Sequence, residues 1–243
     1  IQVTLDDYVQ YGLRKGITIT KKQLHTFEEH IDSEQLYQRC LRKLSLKDRT
    51  IYEMRKWLKE TELADYQEVN VLIDKLVKKG YLDDEKLCME QIQALSNSLY
   101  GPKQIISKLK QRGIKEDCIL ACMEQSKLKE YEYALAYATK TLKQNQKSSV
   151  TKTKNTIRNK LMTRGYSNST IEKVISELDY SSNKENEDVL LEKLIKKAIK
   201  RYERKYRGYD LKTRIYRYCL TQGFHSEDIS VLMDRMEWSH DED

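Results

Sequence analysis

Ten cations crowd one stretch of this chain: Lys196, Lys197, Lys200, Arg201, Arg204, Lys205, Arg207, Lys212, Arg214 and Arg217. Only Glu203 and Asp210 oppose them, so the stretch nets +8 against +7 for the whole chain. Tyr202, Tyr206, Tyr209, Tyr216 and Tyr218 are interleaved with the charges. Cations neutralise phosphates and aromatic faces stack on exposed bases, so this composition suits nucleic acid. It suits an acidic groove on a protein equally well, because charge complementarity steers either encounter. Tyr202, Tyr206 and Tyr209 also share one face at helical spacing, where tyrosine serves as half-buried packing. The stretch as a whole is read as a contact surface; for any single tyrosine, packing competes with contact.

A second basic set comprises Lys103, Lys108, Lys110 and Arg112, then Lys152, Lys154, Arg158, Lys160 and Arg164. Arg112 and Arg164 hold the same place, immediately before a glycine at the end of a helical pattern. A cation there complements the helix dipole, for a few tenths to about 1 kcal/mol. Equivalent cations on successive repeats would also align as a charged ridge, and the two roles are compatible. Both sets together form the expected partner- and DNA-binding face.

Catalytic chemistry finds no foothold. There is no Gly-rich phosphate loop, no Walker motif and no histidine-centred triad, so neither catalytic nor cofactor-binding residues are assigned. The acidic pairs Asp6-Asp7 and Asp83-Asp84 precede helical patterns, where carboxylates cap and meet the positive dipole end. The five cysteines, Cys40, Cys88, Cys118, Cys122 and Cys219, contain no Cys-x-x-Cys pair. They read as buried, reduced thiols of a cytosolic protein, with Cys118, Cys122 and Cys219 at core positions. His25, His30, His225 and His240 supply no workable zinc spacing, so no metal site is expected.

What must position the basic residues is an internal repeat. Leu109–Ile114 reads Leu-Lys-Gln-Arg-Gly-Ile, Leu161–Tyr166 reads Leu-Met-Thr-Arg-Gly-Tyr, and Cys219–Phe224 reads Cys-Leu-Thr-Gln-Gly-Phe. Apolar residues follow each at matching offsets: Ile119, Cys122, Met123; Ile171, Val174, Ile175; Ile229, Leu232, Met233. A looser copy begins at Leu58, with Leu63, Val69, Leu72 and Ile73, and with Glu62 in the glycine place. Each unit reads as three helices, the second ending at the glycine, which enters the left-handed C′ conformation cheaply. Thr50 with Glu53 predicts a capping box, and Gly101-Pro102 a proline-started helix.

The expected organisation is a lead-in at 1–31, repeats at 32–82, 83–127, 128–180 and 187–238, and an acidic tail at 239–243. Tyr180–Glu187 is the linker expected between the last two repeats, and the first helix of repeat one is expected over Ser33–Leu44. Together these predict an all-α chain of about four tandem three-helix repeats, stacked into an elongated, curved body. A surface of this kind serves binding rather than a single catalytic pocket.

One ordered series is specific to a family. Gly80-Tyr81-Leu82-Asp83-Asp84, then Tyr100-Gly101-Pro102-Lys103, Ile106, Leu109 and Arg112-Gly113-Ile114 resembles the signature of the RecX regulators of RecA recombinase. Tyr11-Gly12-Leu13-Arg14-Lys15-Gly16 resembles the lead-in of longer members from Gram-positive bacteria. The resemblance is strong over the two central repeats and looser outside them. It implies a monomeric, all-helical, cytoplasmic protein without enzymatic activity or cofactor, acting in DNA repair, homologous recombination and the SOS response. Such proteins lodge in the groove of the RecA filament on DNA and bridge neighbouring protomers. There they block extension, promote disassembly, and lower ATP hydrolysis and strand exchange; they bind single- or double-stranded DNA weakly. Glu62 and the fourth repeat depart from the shorter members, and the extra unit is expected to lengthen the footprint.

Composition narrows the alternatives. Charged residues are 34% and hydrophobic ones 39%, with Pro102 the single proline, which fits a thin helical body with much solvated surface. No apolar run approaches a membrane span and no secretory signal is visible. The chain opens on Ile1 rather than Met, so an N-terminal piece is expected beyond it. The rival function is direct DNA binding by tandem units like helix-turn-helix modules. The third helices, however, expose mixed charges, Lys115, Glu116 and Asp117 in one and Glu172, Lys173 and Glu177 in another. A base-reading helix would present Arg, Asn and Gln there. A third reading, a helical scaffold for unrelated partners, follows from the repeats alone.

Overall fold

Side-chain oxygens of Thr4, Thr20, Thr50, Ser149 and Ser167 cap helix starts, and Gly80, Gly113, Gly165 and Gly223, all at positive φ, follow helix ends. A computed structural model describes residues 2–61, 66–146 and 148–236, and these hold no strand. The helices are α1 (Leu5–Gln10), α2 (Lys21–Leu46), α3 (Ile51–Glu60), α4 (Tyr66–Lys78), α5 (Asp84–Asn97), α6 (Pro102–Gln111) and α7 (Glu116–Gln125). They continue as α8 (Glu130–Gln144), α9 (Val150–Thr163), α10 (Asn168–Glu177), α11 (Ser181–Glu185), α12 (Glu187–Tyr202), α13 (Gly208–Thr221) and α14 (Ser226–Asp234). The middle helices of the repeat are α3, α6, α9 and α13.

The chain divides into two compact units, Ile1–Ala94 with Ile106–Lys127, and Leu95–Ile105 with Leu128–Asp243. In the first, Tyr37 and Cys40 of α2 pack with Met54 and Leu58 of α3 and Val69, Ile73 and Leu76 of α4. In the second, one core joins Ala134, Ala138, Ile157, Leu161, Ile171 and Val174, and another joins Leu191, Ile195, Ile215, Cys219 and Ile229. The repeat positions predicted from the glycine offsets are thus the buried ones, apart from Met123 and Leu232, which are half-buried.

One joint recurs within the units. The C-terminal turn of a middle helix closes on the N-terminus of the middle helix one repeat earlier. Thr50 Oγ1 donates to the Arg112 carbonyl at 2.7 Å in the first unit. In the second, the Gly101 N–H donates to the Arg164 carbonyl at 2.8 Å and the Lys103 N–H to Gly165 at 3.1 Å. Ser149 Oγ donates to the Gln222 carbonyl at 2.9 Å. At Gly101 and Lys103 orphan groups on both sides are thereby satisfied, whereas at Thr50 and Ser149 a hydroxyl serves the orphan carbonyl.

The glycines permit that approach. Gly165 has φ +85°, and a Cβ there would lie 2.4 Å from the backbone nitrogen of Gln104; one at Gly113 would lie 2.2 Å from the Tyr52 ring. A carboxylate from the following repeat completes two of the joints: the Ile51 N–H donates to Asp84 at 2.9 Å and the Val150 N–H to Glu187 at 3.1 Å. The equivalent residue of α6 is Pro102, which has no N–H to offer. There Glu130 accepts instead from the Ser167 N–H, 2.7 Å away, at the start of α10.

Three features differ from the sequence reading. α2 begins at Lys21 rather than Ser33 and runs across the boundary expected at 31/32. Thr20 and Gln23 form a capping box that starts it early, and neither proline nor glycine interrupts it before Lys47. The linker expected at Tyr180–Glu187 holds the short helix α11, whose buried Asn183 donates to the carbonyls of Asn145 (3.1 Å) and Ser148 (2.9 Å). Asn183 is the buried member of this polar run, and the residues on either side of it are exposed. His30, read as solvated or capping, is exposed as expected but also has a partner that the reading lacked: its Nδ1 lies 2.7 Å from the buried carboxylate of Asp7 and so ties α2 to α1. The places of Glu62, Leu63, Trp238 and the tail 239–243 lie outside the described residues.

Two glycine substitutions separate backbone conformation from close approach. Gly80 has φ +74° and open space where a Cβ would stand. Gly80→Ala is expected to cost only the left-handed term, about 1–2 kcal/mol. Gly165→Ala should add about 1–3 kcal/mol of overpacking to the same term. Urea unfolding of both variants followed by circular dichroism checks the difference; equal losses would refute the close-approach role.

Candidate functional site

α12 ends in a cationic turn, and Arg207 leads into α13, whose first turn carries Asp210. Lys200 and Arg201 occupy the last turn of α12, where they complement its negative end. The chain then turns through Glu203–Lys205, the Tyr206 N–H donating to the Tyr202 carbonyl at 3.0 Å, and enters α13 from an extended Arg207. Between the helices lies an open cleft of about 590 Å³, lined by Tyr202, Tyr206, Tyr209, Asp210, Thr213, Arg214, Arg217, Tyr218 and Thr221.

Its aromatic residues divide by role. Tyr202 and Tyr218 meet edge to face, ring centres 6.1 Å apart at 73°, and with Tyr206 and Tyr216 they pack against the Leu191–Ile215 core. The Arg214 guanidinium sits 3.9 Å over the Tyr206 ring, and Arg201 lies 5.5 Å from that of Tyr202. Tyr209 is different: it is 83% exposed and belongs to no core cluster among the described residues. The packing and contact readings of this stretch therefore apply to different tyrosines. Chemically, the cleft offers a stacking face beside planar cations, a set that accepts phosphates, carboxylates or unstacked bases.

The remaining predicted residues lie in two kinds of place. Arg217 lines the cleft, Lys197, Lys200, Arg204, Lys205 and Arg207 are exposed, and Lys212 is half-buried on α13. On α6, Lys103 is exposed, Lys108 is half-buried, and Lys110 pairs with Glu116 at 2.7 Å. On α9, Lys152 bonds the side chain of Gln222, Lys154 lies 5.0 Å over Tyr180, and Lys160 is half-buried. Arg158 grips Glu172 with two bonds of 2.8 and 2.9 Å. Lys110, Lys152 and Arg158 thus bond within their own unit, whereas Lys197, Lys200, Arg204, Lys205, Arg207 and Arg217 are exposed.

Arg112 and Arg164 are turned onto the joints. Arg112 makes two bonds of 2.9 Å to the Glu53 carboxylate and one of 3.0 Å to the Asp48 carbonyl. Arg164 bonds the Ser98 carbonyl at 2.9 Å and lies 4.4 Å from the Tyr100 ring and 4.8 Å from that of Tyr137. Glu53 was legible as the partner of Thr50 in a capping box, and that box is present. Its second partner, Arg112, stands too far along the chain for local spacing to suggest.

Burial raises the Glu53 pKa, but the hydrogen bonds from Arg112 and the Thr50 N–H, with the Arg112 charge, outweigh it and hold the carboxyl below its ordinary value. A depressed carboxylate contributes stability above its unfolded pKa and loses it as pH falls through the folded value. Arg112→Ala should therefore cost about 1.5–3 kcal/mol at neutral pH. That penalty should shrink as pH drops below the ordinary carboxylate range. Thermal melts at neutral and acidic pH measure it, and a pH-independent penalty would exclude the Glu53 pairing as its source.

Comparison with known proteins gives one consistent result, although no family model matches the chain. A regulatory protein RecX from Streptococcus sanguinis is 29% identical over 234 residues, covering 95% of this chain and 89% of its own. One from Bacillus licheniformis is 28% identical over 235 residues, covering 96% and 88%. A crystal structure of a regulatory protein RecX matches with a TM-score of 0.63 and 26% identity, over 72% of this chain and 88% of that one.

Proposed function

The chain belongs to the RecX family, and we propose that it regulates RecA recombinase by occupying the groove of the RecA–DNA filament. The observation that carries this reading is the exposed cation-and-tyrosine cleft of α12 and α13 on a repeat body with the family's signature. On this reading weak contacts distributed over the repeats add by avidity. A wedge that touches two neighbouring protomers shifts the filament toward states incompatible with extension or strand exchange. It does so only through a difference in affinity between filament states, since equal binding to both would shift nothing. On this reading the protein blocks extension, promotes disassembly and lowers ATP hydrolysis without catalysing a reaction. It works as a cytoplasmic monomer in DNA repair and recombination.

Direct DNA binding is the second reading, favoured by the exposed Tyr209 among the cations. Salt separates the two. Neutralising about six phosphates on single-stranded DNA would lose roughly a few hundred-fold in affinity between 50 and 200 mM salt. A groove binder with apolar contacts would lose less. Among the described residues no helix is long and apolar enough to cross a membrane.

The test is ATP hydrolysis by RecA on single-stranded DNA, with this protein well below stoichiometry and DNA in excess. The expected result is a fall in rate that surplus DNA does not titrate away. The combined charge reversal Arg204→Glu, Arg207→Glu and Arg214→Glu should raise the half-inhibiting concentration at least tenfold, while circular dichroism stays unchanged. Inhibition abolished by surplus DNA would leave a DNA-binding protein. Inhibition untouched by the reversals would place the contact elsewhere.

A further inference from the structure

Three of the five cysteines meet. Cys118 and Cys122 stand one turn apart on α7, Cys88 lies on α5, and their Sγ atoms all lie within 4.8 Å of one another. Cys88 and Cys122 are buried and Cys118 is half-buried, which leaves one edge of the cluster open to solvent. The other two cysteines set the contrast. Cys40 and Cys219 are each fully buried in separate apolar cores, as a small hydrophobe should be. In the trio, sulfur faces sulfur.

We propose that Cys88, Cys118 and Cys122 form a three-sulfur site for a soft, thiophilic metal ion, with monovalent copper as the ion it fits best. An ion bonded to three sulfurs at about 2.3 Å requires them to stand about 4 Å apart. The observed cluster needs at most a slight contraction to reach that spacing. Zinc in a closed site takes four protein ligands, and among the described residues this group offers three. Soft sulfur donors select monovalent copper over harder ions. Asp84 and Glu85, at the start of α5, place further negative charge near Cys118, which favours a cation.

The step balances without an oxidant or reductant. Each thiol that binds releases its proton to solvent, and its sulfur donates an electron pair to the ion. Burial pushes the Cys118 thiol up to about 11 and that of Cys88 higher still. Metal-free Cys88 and Cys118 are therefore protonated at neutral pH and poor nucleophiles, which argues against either as a peroxide sensor. An ion seated there would tie α5 to α7 across the contact already made by Cys122 Sγ to the Glu85 carbonyl. Ligand held only by the folded state raises stability, so the site couples ion binding to the firmness of the first unit.

The experiment uses the reduced full chain without oxygen, competing for monovalent copper against a chromophoric chelator. One equivalent should be withdrawn by the wild type and by Cys40→Ala/Cys219→Ala, with a rise in melting temperature. Cys88→Ala/Cys122→Ala should bind at least tenfold more weakly. Cys118→Ser, at the half-buried position, should also lose at least tenfold while its circular dichroism and metal-free melting stay near wild type. This second variant keeps the test valid if the double alanine fails to fold. No withdrawal by the wild type, or withdrawal unchanged in Cys118→Ser, overturns the site; zinc bound as tightly as copper overturns the choice of ion.

Discussion

The structure depends on one close approach: the carbonyl end of each later middle helix seated against the donor end of the middle helix before it. In one joint backbone meets backbone, at 2.8 Å between Gly101 N and the Arg164 carbonyl, and a methyl group on Gly165 has no room; in the other two the hydroxyls of Thr50 and Ser149 bridge the ends. The backbone joint satisfies groups that a helix leaves orphaned at both ends. It therefore does two jobs that a loose repeat would need separate devices for, joining repeats and capping helices. The exceptions fit this logic. Where Pro102 removes the N–H that Asp84 and Glu187 serve elsewhere, Glu130 is spent on the next helix instead.

That constraint also sorts the cations. A residue immediately before the glycine lies at the joint, so Arg112 is taken by Glu53 and Arg164 by Ser98, Tyr100 and Tyr137. The donor end of α13 is the one that no such turn meets among the described residues. Thr50, Gly101 and Ser149 open the other middle helices; Arg207 opens this one, without a side-chain cap. A positive helix end, an exposed Tyr209 and the charges of α12 thus converge where the internal pairing stops.

How much of this was legible follows from distance along the chain. Helices α7 and α10 and the caps at Thr50 and Pro102 were readable because period and capping are local signals. The second and third glycine-centred copies placed Ile171, Val174 and Ile229 in the core, which they occupy. The joint itself was not readable: a glycine announces a turn, and nothing nearby in sequence says that Gln104 or Tyr52 stands against it. For the same reason the Arg112–Glu53 pair and the meeting of Cys88 with Cys118 and Cys122 emerged only in three dimensions. Asn183 misled in the other direction, because a polar run reads as a linker until its amide is seen bonding buried carbonyls.

Positive charge near a repeat glycine is thus weak evidence of a binding face, and the cleft of α12 and α13 carries the functional argument for a different reason. A cation that bonds a carboxylate or stacks between two rings has already been compensated, and using it on a partner would break the joint that presents it. Arg204 and Arg207 are exposed where the chain passes between α12 and α13, so partner binding there would not dismantle a joint. Arg214 lies between these cases, since stacking over Tyr206 orients its guanidinium while leaving the residue exposed. Pre-ordering of this kind lowers the entropy lost on binding. The repeats supply rigidity through their joints, and contact is left to the cations that the joints do not use.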